Sequence, residues 1–109
     1  MNHTLVCLHG WGGSEESFTE LRNSLKDSGI RVLAPDLPGF GNEAEPQEPW
    51  NTDRFANWVT KYIRENVQGP YALLGHSHGG RIAIKLVSRI CENNEDIPAP
   101  THLFLCAAA

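Results

Sequence analysis

Four short apolar runs, the first three followed by a glycine turn or a polar loop and all separated by stretches of helical periodicity, constrain this chain more than any other property. The runs are residues 4–8 (TLVCL), 30–34 (IRVLA), 71–74 (YALL) and 102–107 (HLFLCA). They are apolar at successive positions instead of alternating, as strands covered on both faces must be. Between them, Phe18, Leu21 and Leu25 fall on one helical face, as do Phe55, Val59, Tyr62 and Ile63, and then Ile82, Ala83, Leu86, Val87 and Ile90. The polar boundaries agree. Ser14 is placed to cap the first helix with Glu15 and Glu16 in its first turn, Asn51 or Thr52 to cap the second, and the third starts near His78. Gly29 stops the first helix, and Gly69 with Pro70 the second. Strand and helix in strict alternation predict an α/β fold: a parallel sheet of about four strands with helices on both faces. At 109 residues, with no linker long enough to divide it, residues 1–109 read as a single domain.

Several function classes drop out. The formal net charge is −4 and the nine Lys and Arg are scattered, so no basic stripe exists to neutralise a nucleic-acid backbone. No apolar run approaches membrane-spanning length, and the first ten residues carry no leader pattern. Cys7, Cys91 and Cys106 are widely spaced, with no C-x-x-C pair and no histidine cluster. We expect reduced thiols, a cytoplasmic protein, and neither metal nor organic cofactor.

The chemistry concentrates at strand ends. Gly75-His76-Ser77-His78-Gly79-Gly80 joins a predicted strand to a predicted helix, the setting in which G-x-S-x-G forms a nucleophile elbow. Glycines two residues before and after the serine let strand and helix approach, so the hydroxyl of Ser77 projects at the carboxyl edge of the sheet. The helix behind it begins with N–H groups that have no intrahelical acceptor. The amide of His78 is therefore the first oxyanion donor expected. After the first strand, His9-Gly10-Trp11-Gly12-Gly13 offers the Trp11 amide as the second. Its glycines match neither G-x-G-x-x-G nor a P-loop. Asp36-Leu37-Pro38-Gly39-Phe40-Gly41 follows the second strand, and Asp36 there is expected to stabilise its own turn through backbone amides rather than to act as a catalytic acid.

In this order and at these separations, H-G-W-G-G, D-L-P-G-F-G and G-H-S-H-G-G resemble the α/β-hydrolase superfamily, and the resemblance covers essentially the whole chain. It implies Ser77 as nucleophile, Trp11 and His78 as backbone oxyanion donors, and Gly10, Gly75 and Gly79 as the small residues that let loop and elbow meet. It also implies ester, thioester or amide substrates, since members resembling dehalogenases or epoxide hydrolases carry aspartate at the elbow.

One part of the expected machinery is missing. A serine hydroxyl needs an imidazole base, oriented by a carboxylate, and in this superfamily both follow the serine after later strands. After Ser77 the chain offers only Glu92, Glu95, Asp96 and His102, all expected near the opposite, amino edge. His9, His76 and His78 belong to turns, and Asp27 and Asp53 to helix ends. The superfamily fold continues beyond a fourth strand, so residues 102–107 would form an exposed apolar edge open to a partner. Three partners are expected: an acyl substrate, a complementary C-terminal half, or a second copy of the chain. The competing reading is a binding or regulatory module that keeps the fold without the chemistry.

Overall fold

The computed structural model describes residues 3–10, 13, 15–38, 51–92 and 95–106. Ser14 and residues 39–50, which include Gly39, Phe40 and Gly41, lie outside them, as do Trp11 and Gly12. Strand β1 (His3–Leu8) leads to a short 3-10 turn (Glu15–Phe18) and helix α1 (Thr19–Leu25), then to β2 (Ile30–Leu33), α2 (Thr52–Asn66), β3 (Tyr71–His76), α3 (His78–Cys91) and β4 (Leu103–Cys106). All pairings are parallel and the sheet order is β2-β1-β3-β4. The chain therefore moves outward from β1 to β2, then crosses to the other side of β1 to lay down β3 and β4. The carboxyl ends of β1 and β3 flank the point where strand order reverses, which is where open α/β sheets bind ligands.

Alternate side chains of β1 face opposite layers. Val6 and Leu8 join Tyr71, Leu73, Phe55, Val59, Ile63, Ile82 and Leu86 beneath α2 and α3. Leu5 and Cys7 join Phe18, Ala34 and Ala72 beneath α1. This two-sided burial explains why the strands are continuously apolar. Each fully buried Leu or Ile in such a core contributes about 1.5–3 kcal/mol.

Helix boundaries differ from expectation in ways that have local causes. The Asn51 side chain accepts the Arg54 N–H at 2.9 Å, so the second helix starts where its cap predicts. It ends at Asn66, earlier than Gly69 and Pro70 require, with Val67 already extended. The first helix is shorter than its apolar spacing implies. Residues 15–18 wind as 3-10, and Phe18 precedes α1 with no side-chain cap. Gly29 takes φ 82° in the turn that leads to β2. The third strand runs two residues further than predicted, to His76, because Gly75 and His76 pair with Leu105 and Cys106.

The segment before β4 is fastened at the amino edge of the sheet. Tyr71 Oη donates to the Pro98 carbonyl at 2.6 Å, and the Thr101 N–H donates to the Tyr71 carbonyl at 2.7 Å. Thr60 donates to Glu95, and Arg64 pairs with Asp96. Among the described residues no helix is long and apolar enough to cross a membrane.

Candidate active site

The sharp bend between β3 and α3 decides the site. Ser77 has φ 55° and ψ −116°, and among the described residues no other non-glycine has positive φ. An L-residue held there costs about 1–3 kcal/mol, and persists only where its surroundings over-determine it. Here they do. The Ser77 N–H donates to the Cys106 carbonyl on β4 at 3.0 Å, and the Ser77 carbonyl accepts from Gly80 N–H at 2.9 Å and Arg81 N–H at 3.2 Å. Its side chain makes no capping bond to the helix it precedes, so the hydroxyl is not consumed by local structure.

The glycines flanking the bend are required by close backbone approach. A Cβ on Gly75 would lie 2.5 Å from the Gly79 carbonyl oxygen and 2.7 Å from the Gly80 nitrogen. A Cβ on Gly79 would fall on the Leu8 carbonyl, so α3 can rest on β1 only without one. Gly10 does the same from the neighbouring loop, since a Cβ there would meet Ser77 Cβ at 3.0 Å and the His76 carbonyl at 3.2 Å. The loop after β1 thus abuts the elbow, as its motif implies.

A cleft of about 600 Å3 opens beside Ser77, lined by Gly10, Phe18, Leu21, Leu74, His76 and Cys106 among others. That size suits a small-molecule ligand. Its wall is largely apolar, built by α1 and the carboxyl ends of β3 and β4.

The histidines near the elbow have three different fates. His9 is fully buried; its Nδ1 meets the Gly10 carbonyl at 2.8 Å and its Nε2 accepts the Leu37 N–H at 2.9 Å. His78 turns its ring away from the cleft, edge-on to Phe55 at 5.0 Å between centroids. Burial lowers its pKa, and Arg81 and His9 push the same way, so it stays neutral in neutral solution. Its backbone N–H lies at the first position of α3, where no intrahelical acceptor exists. His76 is exposed and lines the cleft beside Ser77.

The late acids and His102 lie at the end of α3 and in the segment that leads to β4. Glu95 and Asp96 are engaged with Thr60 and Arg64 of α2. Ser88 donates to Glu92 at the end of α3. His102 immediately precedes β4, with its Nδ1 3.1 Å from Thr101 Oγ1 and its ring stacked on Phe104. Trp11, the expected second oxyanion donor, lies outside the described residues, and so does any geometry that would rank it. Among the described residues no cluster of His, Cys, Asp or Glu could hold a metal ion.

Three features escaped the sequence reading. Cys106 both accepts the Ser77 N–H and lines the cleft, which only the β3–β4 register reveals. Asp53 does more than sit at a helix end: Arg89 bonds it at 2.7 Å and Lys85 lies at 3.4 Å, tying α2 to α3. The Arg89 bond, ahead of the cost of desolvation, holds the Asp53 carboxyl below the usual range. The bridging role of His9 depends on Leu37, 28 residues away, and had no local signal.

A family model for the alpha/beta hydrolase fold matches residues 3–99. The chain belongs to the alpha/beta hydrolase fold family. Among curated hydrolase-fold relatives, the AB hydrolase superfamily protein YisY of Bacillus subtilis is 33% identical over 105 residues, which cover 96% of this chain and 38% of that protein. The human S-acyl fatty acid synthase thioesterase, medium chain, is 32% identical, with 95% of this chain and 38% of the thioesterase covered. The esterase EaEST from Exiguobacterium antarcticum superposes with a TM-score of 0.84 at 27% identity, over 95% of this chain and 37% of the esterase. This hydrolase-fold chain therefore spans less than two-fifths of the length of each of these three relatives.

Proposed function

We propose that this chain supplies the nucleophile side of a serine acyl hydrolase. Ser77 Oγ attacks the carbonyl carbon of an ester or thioester, the amides of His78 and Trp11 hold the oxyanion, and water then releases the acyl group. The observation that carries this is the strained bend at Ser77, set against Gly10 and opening on an apolar cleft. Strain at one non-glycine residue beside a cleft is what a presented nucleophile requires, and a plain strand-to-helix turn does not. The presence of a thioesterase and an esterase among its relatives supports this class of chemistry, and serine rather than aspartate at position 77 fits acyl transfer.

The proton acceptor and its carboxylate come, in this reading, from polypeptide outside residues 1–109. His9 has both ring nitrogens engaged and His78 faces Phe55, so neither is disposed to take the Ser77 proton, while His76, exposed at the cleft, would reveal itself as the base by Ser77 labelling of the chain alone. The exposed large hydrophobic residues among those described are Ile84 of α3 and Leu103, Phe104 and Leu105 of β4. The exposed strand β4 is the seat for the complementary polypeptide, and its contact with the site runs through Cys106. We place the protein in the cytoplasm, in keeping with three cysteines that form no disulfide.

A fluorophosphonate probe tests the proposal on the full chain alone and on the chain mixed with a candidate C-terminal half. Labelling of wild-type but not Ser77→Ala protein in the mixture is the expected result. Absence of Ser77 labelling in both preparations overturns it. A binding module without chemistry is the rival reading, favoured by the commitment of His9 and His78 to structure. A monodisperse, cooperatively unfolding monomer that never labels would establish that rival.

A further inference from the structure

We propose that His9 is a positioning residue: its imidazole fastens the loop after β2 to the loop after β1 and so holds Gly10 against Ser77. The inference rests on Ser77 being the reactive group of the cleft, as proposed above.

The two hydrogen bonds of the ring fix its protonation pattern. A carbonyl oxygen only accepts, so the 2.8 Å contact with Gly10 places the ring proton on Nδ1. A backbone amide only donates, so the 2.9 Å contact from Leu37 requires a bare Nε2. A fully buried imidazole satisfied in this manner is held in one tautomer and one orientation. Leu37 is itself fully buried in the core beneath α2 and α3, so the far end of the tie is anchored.

The near end matters for catalysis. The Gly10 carbonyl takes a second bond, from the Gly13 N–H at 3.0 Å, so two donors fix its direction. Holding the Gly10 carbonyl therefore keeps Gly10 seated beside the elbow. Gly10 also has no room to move towards the elbow, because Ser77 Cβ and the His76 carbonyl already crowd the position a Cβ would take. His9 acts on the reacting atoms through Gly10 and touches none of them.

Nitrogen-15 NMR of the full chain, with His9→Leu and His9→Gln variants, tests this. In wild-type protein His9 should carry its proton on Nδ1, and its Nε2 should show coupling to the Leu37 amide proton. His9→Leu should raise the exchange rate of the Leu37 amide about tenfold, the scale of one lost hydrogen bond, and displace the Gly10 and Ser77 amide resonances. His9→Gln, whose side-chain oxygen reaches towards the Nε2 position, should restore the Leu37 amide. In the mixed preparation, His9→Leu should slow fluorophosphonate labelling about tenfold and His9→Gln should recover most of it. A proton found on Nε2, unmoved Gly10 and Ser77 amides in His9→Leu, or equal labelling of that variant and wild type each overturns the inference. Should His9→Leu fail to fold, the wild-type tautomer and the His9→Gln amide still decide. Wild-type protein that shows the tie by NMR yet never labels refutes the Ser77 reading and leaves the tie standing.

Discussion

Replacing Ser77 by glycine should make the protein more stable while removing its proposed nucleophile. The reference is Ser77→Ala, because both variants lack the hydroxyl and differ only in the Cβ. Wild-type Ser77 makes no capping hydrogen bond, so Ser77→Ala itself should cost little, unlike the ~0.5–2 kcal/mol typical of a bonded N-cap. At φ 55° and ψ −116° an alanine retains a strain of about 1–3 kcal/mol, which glycine does not feel. Against this gain, glycine loses ~0.5–1 kcal/mol to the greater freedom of its unfolded chain. Removing a half-buried methyl subtracts about 0.4 kcal/mol more. Mid-range values leave a net stabilisation of about 1 kcal/mol, or ~5 °C in melting temperature for a domain of this size. Urea and thermal unfolding followed by far-UV circular dichroism measure the difference. If Ser77→Gly melts at or below Ser77→Ala, the bend is not strained and the main support for a presented nucleophile goes with it.

Gly79→Ala should destabilise by about 3 kcal/mol or more, read as loss of the folded circular-dichroism signal, because its methyl would fall on the Leu8 carbonyl where backbone and not a side chain must give. Of the three thiols, Cys91 and Cys106 are exposed and should react with a disulfide reagent in native protein. Cys7 is buried with its pKa pushed up to about 12, so a third equivalent should appear only on adding denaturant. Acid should weaken the fold in two stages. The lowered pKa of His78 makes its neutral form the one that folds, so stability present above the unfolded imidazole value of 6.5 is lost as pH falls below it. The lowered Asp53 and Asp96 carboxyls add stability above the unfolded value of 3.8 that disappears as pH falls through their folded values. Denaturation midpoints against pH should show both steps, and Asp53→Asn should shrink the second.

Much of this arrangement is legible in one sequence because its causes are local. The strand runs declare themselves by continuous apolarity, since both faces of β1 and β3 are covered. The elbow declares itself because the backbone at Ser77 can turn only if Gly75 and Gly79 lack side chains. What stays illegible is set by contacts between distant residues. The winding of residues 15–18 as 3-10 leaves no trace in the spacing of Phe18, Leu21 and Leu25, which suits either helix over so few turns. The Asp53–Arg89 tie and the His9–Leu37 bond join residues 36 and 28 positions apart. Nothing in the sequence around either partner marks them.

The same distinction separates the two edges of the proposed site. Ser77 and Gly10 are held at the ends of β1 and β3, each of which is paired on both sides within the described residues. β4 has one, and it presents Leu103, Phe104 and Leu105 at 37%, 49% and 44% exposure. Its carboxyl end nevertheless accepts the Ser77 N–H through Cys106, so β4 must be in register for the elbow to hold its shape. In the proposed half-enzyme, a strand that pairs with the outer edge of β4 would therefore stabilise the bend at Ser77 as well as covering apolar surface. Phe104→Lys and Leu105→Lys, both at exposed positions, should leave helical circular dichroism intact and yet abolish co-purification with a complementary polypeptide, because a charge on a strand edge blocks pairing. Co-purification undiminished by either lysine would place the partner elsewhere and separate the fate of β4 from that of Ser77.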